Sequence, residues 1–179
     1  MRVTITYSTR MIVLGGMGSG KTYFTFQLLN KMRRVLWIDP SGDLQLTFKV
    51  PNTWKVLNTA NIDIMRYLAE GNMLIVLDDM DSIAKPWTFW TNDGVQALFT
   101  RGRHRNVGYV VISHGLSGIP KLAWKQAQYL VFFHTTSEKE LDIIKNEVDP
   151  KLVDIVTSLD FSKHEKVIYD QISKEYARI

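Results

Sequence analysis

The sequence predicts an α/β fold: a mostly parallel central sheet with helices on both faces, in three layers. Three observations predict it. Five short apolar runs, at residues 11–14, 35–38, 73–77, 109–112 and 129–133, are nearly continuous rather than alternating, as strands covered on both faces are. Segments of helical pattern lie between them, giving the alternation of βαβ units. A glycine-rich turn joins the first run to the first helix, where a parallel sheet places a ligand. At 179 residues the chain suits one domain, and a chain of this size buries about 70% of the surface its unfolded form exposes.

Each element follows in order. Residues 1–7 alternate polar and apolar and lack the apolar centre of a signal peptide. After the strand at 11–14, residues 21–32 read as a helix. The strand at 35–38 is followed by a helix at 61–70, which Gly71 ends, and then by the strand at 73–77. Helices are predicted at 91–100 and 120–126, flanking the strand at 109–112. After residue 137 the pattern changes. Residues 137–146 read as a helix with Ser137 as N-cap and Glu140 three residues on, a capping box. Residues 150–158 read as a second helix and 166–170 as a final strand. The whole chain, 1–179, is expected to be one domain, with 137–179 a peripheral helical and strand extension.

Composition narrows the function. Hydrophobic residues are 45% and charged residues 22%, globular values rather than disordered ones. The absence of cysteine excludes disulfides, Cys-ligated zinc and thiol catalysis. No apolar run approaches the roughly 20 residues of a membrane span, so a soluble intracellular protein is expected. The net charge is +4, and its distribution is uneven: residues 1–136 carry a balance of +7 and residues 137–179 one of −3. The basic surplus permits contact with a polyanion without requiring it.

The strongest motif is Gly15-Gly16-Met17-Gly18-Ser19-Gly20-Lys21-Thr22, which satisfies G-x-x-x-x-G-K-[ST] in full between a strand and a helix. Glycines allow positive φ, so that successive N–H groups turn into one concavity and hold phosphate oxygens. The helix N-terminus adds its partial positive charge. Lys21 brings an ammonium to the β- and γ-phosphates, and the Thr22 hydroxyl suits Mg²⁺. Gly15 through Thr22, with Tyr23 beside them, are the candidate nucleotide-binding residues. The fold class narrows to a P-loop NTPase α/β/α sandwich.

The strand at 73–77 ends in Asp78 and Asp79, the form of a Walker B segment. Such a strand delivers Asp78 to the C-terminal edge of the sheet, beside a metal held by Thr22. Asp79 then polarises the attacking water. Many P-loop ATPases carry Glu here; Asp is one methylene shorter and needs an extra water or a closer approach. The plain alternative is a solvated turn of Asp78, Asp79 and Asp81. A GTPase has one supporter, the D-x-x-G match Asp39-Pro40-Ser41-Gly42, but the chain has no Asn-Lys-x-Asp motif. Arg101-Gly102-Arg103-His104-Arg105 has the composition of a kinase lid, yet tandem aspartates suit water activation better than transfer to a bound acceptor.

Further segments follow in a fixed order. Trp37-Ile38-Asp39-Pro40-Ser41-Gly42-Asp43 comes after the second strand. Thr100-Arg101-Gly102-Arg103-His104-Arg105-Asn106-Val107 leads into the fourth, which ends in Ile112-Ser113-His114 before Ile119-Pro120. Ala127-Gln128-Tyr129-Leu130-Val131-Phe132-Phe133 forms the next strand. With the two Walker segments, the chain over about residues 10–145 resembles the FtsK–HerA superfamily of DNA-pumping ATPases, with its RecA-like or HerA-like core. Within it the chain is most similar to the short packaging ATPases of double-stranded DNA viruses with an internal membrane, and to the related poxvirus type.

The resemblance implies an ATP-driven translocase that packages a viral genome into a preformed capsid, with ATP and Mg²⁺ as cofactors. Its partners would be double-stranded DNA and further copies of itself in a ring, usually a hexamer. Capsid-vertex or membrane-associated viral proteins are additional partners that it allows. The location implied is the host cytoplasm, with attachment to the packaging vertex as an option. An arginine from one subunit would complete its neighbour's site. Arg103 is the first candidate, then Arg101, with Arg105 third. The three share a face if their segment is extended and not if it is helical; surface, ion-pairing or DNA-contacting roles are the alternatives. At the end of the fourth strand the family usually has Gln, where this chain has His114 after Ser113. An imidazole can hold the water or sense the γ-phosphate through one N–H. His104 and His134 are read as structural. Pro86-Trp87-Thr88-Phe89-Trp90 reads as packing, and Lys85, Lys121 and Lys125 are candidate phosphate contacts to DNA. Rival readings are another pump of the same family (plasmid transfer, repair or phage extrusion), a nucleotide-binding assembly factor, and a small-molecule kinase.

Overall fold

A computed structural model describes residues 3–83 and 93–179. Lys85 and the aromatic segment 86–90 lie outside the described residues. Eight strands form one sheet: β1 (Arg10–Leu14), β2 (Val35–Ile38), β3 (Lys55–Leu57), β4 (Met73–Leu77), β5 (Val107–Ser113), β6 (Tyr129–Phe133), β7 (Lys166–Asp170) and β8 (Tyr176–Arg178). Their spatial order is β3-β2-β4-β5-β1-β6-β7-β8. Every pairing from β3 across to β6 is parallel, whereas β7 is antiparallel to β6 and β8 to β7. The mostly parallel α/β sheet predicted from the sequence is the one found.

The helices are α1 (Lys21–Leu29), α2 (Asp43–Thr47), α3 (Ile64–Glu70), α4 (Met80–Ile83), α5 (Asp93–Arg101), α6 (Lys121–Lys125), α7 (Glu138–Ile143) and α8 (Lys151–Thr157). Alternate residues of each central strand feed two separate cores. In β4, Met73, Ile75 and Leu77 face the layer that holds α3 to α6 and α8, while Leu74 and Val76 face the layer of α1 and α2. Both faces are covered, which is why these strands read as continuous apolar runs.

Register decides where the site lies. Ile38 pairs with Leu77, Leu77 with Val111 and Leu14 with Ser113. The strands β2, β4, β5 and β1 therefore end on one edge. Asp39, Asp78, His114 and Gly15 each follow directly at that edge.

Four short elements went unpredicted. Helices α2 and α4 and the strands β3 and β8 span 5, 4, 3 and 3 residues, too few to show a period. The capping box is overturned. Ser137 occupies the N-cap position of α7, but its side chain caps nothing. Glu140 instead accepts hydrogen bonds from the backbone N–H groups of Leu116 at 2.6 Å and Ser117 at 3.2 Å, tying α7 to the turn after β5. The segment after residue 137 buries Val167, Ile168 and Tyr169 of β7, and Leu152 and Val156 of α8. The arginine segment is not extended: Arg101 ends α5, and Gly102–Arg105 form a 3-10 turn.

Gly108 in β5 lies against the N-terminal segment, where an added Cβ would run into the carbonyl oxygens of Thr9 and Tyr7. Gly108→Ala is expected to destabilise the fold by about 3 kcal/mol, through overpacking against backbone that cannot yield. Gly16→Ala, where a Cβ would meet nothing within 4 Å, is expected to leave stability nearly unchanged. Thermal denaturation of the two variants checks the contrast.

Candidate functional site

The phosphate loop is shaped by its glycines. Gly18 and Gly20 take φ of 74° and 93°, the left-handed region that glycine enters without strain. A Cβ on Gly15 would collide with Phe133 Cβ at 2.7 Å and Ser19 Oγ at 2.8 Å, so the loop closes tightly on β6. Helix α1 begins at Lys21 with no side-chain cap and no acidic residue in its first turn. Its first amides are thus left for an anion. Lys21 Nζ donates to the carbonyl oxygens of Gly15 at 2.9 Å and Gly16 at 2.8 Å, holding the ammonium across the loop. Burial lowers the Lys21 pKa below the usual lysine range, and the charges of Asp78 and Asp79 act against that shift.

The sequence assigned Thr22 and Asp78 to one metal, and the structure brings them together. Thr22 Oγ1 lies 3.3 Å from Asp78 Oδ2 and 3.4 Å from Oδ1. Two parts of the chain separated by β2, β3 and α3 meet here because β1 and β4 flank β5. Burial raises the Asp78 pKa from 3.8 to about 6. A hydrogen bond from Trp37 Nε1, at 3.2 Å, opposes that rise. The sequence showed Trp37 as an apolar strand residue at the head of the 37–43 segment; its N–H could not be read as a carboxylate donor without the β2–β4 pairing. Its ring is fully buried and stacks on Trp54 with centroids 5.8 Å apart, which fixes where the N–H points.

Asp39 is also buried, and its charge raises the Asp78 pKa further. Its carboxylate accepts from Ser41 Oγ at 2.6 Å and from the Leu44 amide at 2.8 Å. The D-x-x-G match is therefore a local turn that caps α2. Asp79 takes a left-handed φ of 59°, and its Oδ2 accepts from Ser82 Oγ at 2.5 Å. The hydroxyl orients that carboxylate, whose Oδ1 has no hydrogen bond among the described residues.

Met17, Lys21, Thr22, Asp78, Asp79 and His114 line one cleft of about 360 Å³, together with Asp39 and Ser113. His114 is exposed there and makes no hydrogen bond among the described residues. The strand before it is coupled to the loop, since the Gly15 amide donates to the Ser113 carbonyl at 3.4 Å. Among the described residues no three His, Cys, Asp or Glu side chains cluster as a protein-only metal cage. Thr22 and Asp78 supply oxygen donors that suit Mg²⁺ once phosphate oxygens complete the shell.

Other candidates lie elsewhere. Arg101, Arg103, His104 and Arg105 are exposed at the start of β5, the edge opposite the loop. With a rise of about 3.3 Å per residue, β5 places them roughly 20 Å from their own cleft. Lys121 Nζ lies 2.5 Å from Glu147 Oε2, and Lys125 Nζ donates to the Glu147 carbonyl at 2.7 Å. Both lysines are thus engaged with one residue. His134 lies outside the cleft, and its Nδ1 is buried without a hydrogen bond among the described residues. Tyr23 is exposed on α1, outside the cleft. The sequence did not single out His164, whose Nδ1 sits 3.1 Å from the Ser19 carbonyl oxygen in the loop.

No protein-family model and no curated protein matches the chain. Solved structures do. The genome packaging NTPase B204 of Sulfolobus turreted icosahedral virus 2, in complex with sulfate, superposes with a TM-score of 0.81 at 14% identity, over 97% of this chain and 96% of that one. Its complex with ATP-gammaS gives 0.78 at 15% identity, over 97% and 98%. EccC (ATPases 2 and 3) of Thermomonospora curvata gives 0.60 at 11% identity over 96% of this chain and 36% of that one. The pCW3 conjugation coupling protein TcpA gives 0.56 at 11% identity, over 97% and 60%. At these identities the likeness is one of fold. The chain shares the α/β architecture of these ATPases, as its resemblance to the FtsK–HerA superfamily leads one to expect.

The raised pKa of Asp78 has a signed consequence. A carboxyl whose folded pKa exceeds its unfolded value stabilises the fold while protonated, fully below about pH 4 and not above about pH 6. The unfolding free energy of the wild type minus that of Asp78→Asn is expected to fall across this window and level off above it. Denaturant unfolding at a series of pH values checks this; a difference that stays flat contradicts a buried carboxyl at this position.

Proposed function

We propose that this protein is an ATP-driven double-stranded DNA translocase that packages a viral genome into a preformed capsid. The observation that carries the reading is the loop of residues 15–22 facing Asp78, Asp79 and His114 across one cleft. The fold likeness to a genome packaging NTPase, at a TM-score of 0.81 against 0.60 and 0.56 for EccC and TcpA, favours packaging over other pumps.

In this mechanism the amides of the loop and the first turn of α1 hold the triphosphate, with Lys21 against its β- and γ-phosphates. Thr22 and Asp78 would hold Mg²⁺, which when bound neutralises charge on the phosphate oxygens. Asp79 Oδ1 orients water in line with the γ-phosphorus and takes up its proton. His114, at the end of β5, stands where an imidazole N–H can meet the γ-phosphate or the water. Transfer to water breaks the bond between the γ-phosphorus and the bridging oxygen, giving ADP and inorganic phosphate.

Arg101 and Arg103 are too far along β5 to serve their own cleft, so they act on a neighbour's site within a homo-oligomeric ring, for which we take six subunits. The ring turns nucleotide hydrolysis into movement along DNA held by its phosphates. Binding is therefore weak in sequence preference and steeply dependent on salt. The site of action is the host cytoplasm, at the packaging vertex.

Lys21→Ala is expected to abolish hydrolysis, because the only cation in the loop is lost. Duplex DNA is expected to raise the hydrolysis rate of the wild type in its assembled state. An assembled wild type whose rate ignores DNA contradicts the motor, and retained turnover in Lys21→Ala contradicts the site. Arg103→Ala is expected to lower turnover about 10³-fold with nucleotide still bound, as loss of an arginine finger does. Mixing Lys21→Ala with Arg103→Ala subunits is then expected to restore part of the rate, since some mixed interfaces join an intact loop to an intact arginine. No recovery in assembled mixtures contradicts action between subunits.

A further inference from the structure

The His114 ring has no hydrogen bond to fix it among the described residues, and it is exposed in the cleft. Where the imidazole stands therefore depends on the backbone on either side. Before it, the Ser113 carbonyl accepts from the Gly15 amide of the phosphate loop. After it, the chain runs through an extended Gly115 into the 3-10 turn Leu116–Gly118. Such a turn leaves its first amides without partners of their own.

Glu140 of α7 meets those amides. Its Oε2 accepts from Leu116 at 2.6 Å and its Oε1 from Ser117 at 3.2 Å. These are charge-assisted bonds, stronger than neutral ones, and the carboxylate makes no other among the described residues. It lies so close to the residue after His114 that a Cβ on Gly115 would run into it. Gly15, His114, Gly115 and Glu140 line one void of about 10 Å³, room for a single water at most. Loop, imidazole and carboxylate are thus packed around one point. The far end of the turn meets α4, two residues past Asp79: a Cβ on Gly118 would stand 2.5 Å from Asp81 Oδ1. The turn is held between α7 on one side and the helix after the acidic pair on the other.

We propose that Glu140 is a positioning residue for hydrolysis: through the Leu116 and Ser117 amides it fixes the turn that sets His114 against the γ-phosphate and the attacking water. The proposal rests on the reading of His114 as the group that meets them. It gives the segment after residue 137 a part in turnover, although Glu140 does not itself line the cleft.

A double-mutant cycle on the assembled full chain, with hydrolysis measured at saturating ATP, tests it. Gln at position 140 keeps the size and one acceptor but turns an NH₂ group toward the second amide. Glu140→Gln is expected to lower kcat about tenfold, as a misplaced group does. It is expected to bind ADP, which has no γ-phosphate, as the wild type does. His114→Ala is expected to lower kcat about 10²-fold, the worth of one aimed donor. In the His114→Ala background, Glu140→Gln is expected to change kcat by less than about twofold, because no imidazole is left to misplace. A further tenfold loss there would mean that Glu140 acts independently of His114 and overturns the proposal. Unchanged turnover in Glu140→Gln, or weakened ADP binding, overturns it as well. Full activity in His114→Ala overturns the reading of His114 itself, and this proposal with it.

Discussion

Thr22 and Asp78 meet at 3.3 Å across the end of β5, and the geometry of the site is built round that meeting. The hydroxyl lies in the first turn of α1, which is anchored in the core by Thr25 and Leu29, and the carboxylate directly follows the fully buried strand β4. Moving Asp78 would drag a strand whose five residues are all buried. Moving Thr22 would reopen a loop whose glycines leave no room for a Cβ at Gly15. Packing on both sides thus holds the two oxygen groups next to each other at the edge of the sheet.

The same arrangement has a cost that neighbouring residues offset. A carboxylate at the edge of a hydrophobic sheet is poorly solvated, and burial drives its pKa to about 6. Trp37 acts against this with an N–H aimed by its stacking on Trp54, which in turn donates to the Met32 carbonyl at 2.7 Å. An aromatic cluster that looks like ordinary core packing therefore opposes, through one N–H, the effect of burial on a residue at the site. Asp39, committed to capping α2, adds negative charge beside Asp78 and makes the ionised form harder to keep.

Much of this was legible in the sequence. The central strands announced themselves because burial on both faces removes polar residues from every position, as in residues 73–77. The loop announced itself because only glycine serves at positions 15, 18 and 20, and Lys21, Thr22, Asp78 and Asp79 follow motifs tied to phosphate and metal chemistry. What stayed hidden depends on contacts distant in sequence. Trp37 acquires its role from the pairing of β2 with β4, and His164 its contact with the loop from the return of the chain to β7 beside β6. Glu140 fits a local cap by spacing, yet the turn at Leu116 and Ser117 offers two N–H groups that bind it more directly. The arginines at 101–105 were visible as a basic group, but their placement opposite the cleft emerges only from the direction of β5.

The most direct test of the central claim is a crystal structure of the protein with Mg²⁺ and a non-hydrolysable ATP analogue. The account requires Mg²⁺ about 2.1 Å from Thr22 Oγ1, with Asp78 in its coordination shell directly or through one water, and phosphate oxygens on the amides of residues 16–22. A metal bound away from that pair, or phosphates lying outside the loop, would contradict it.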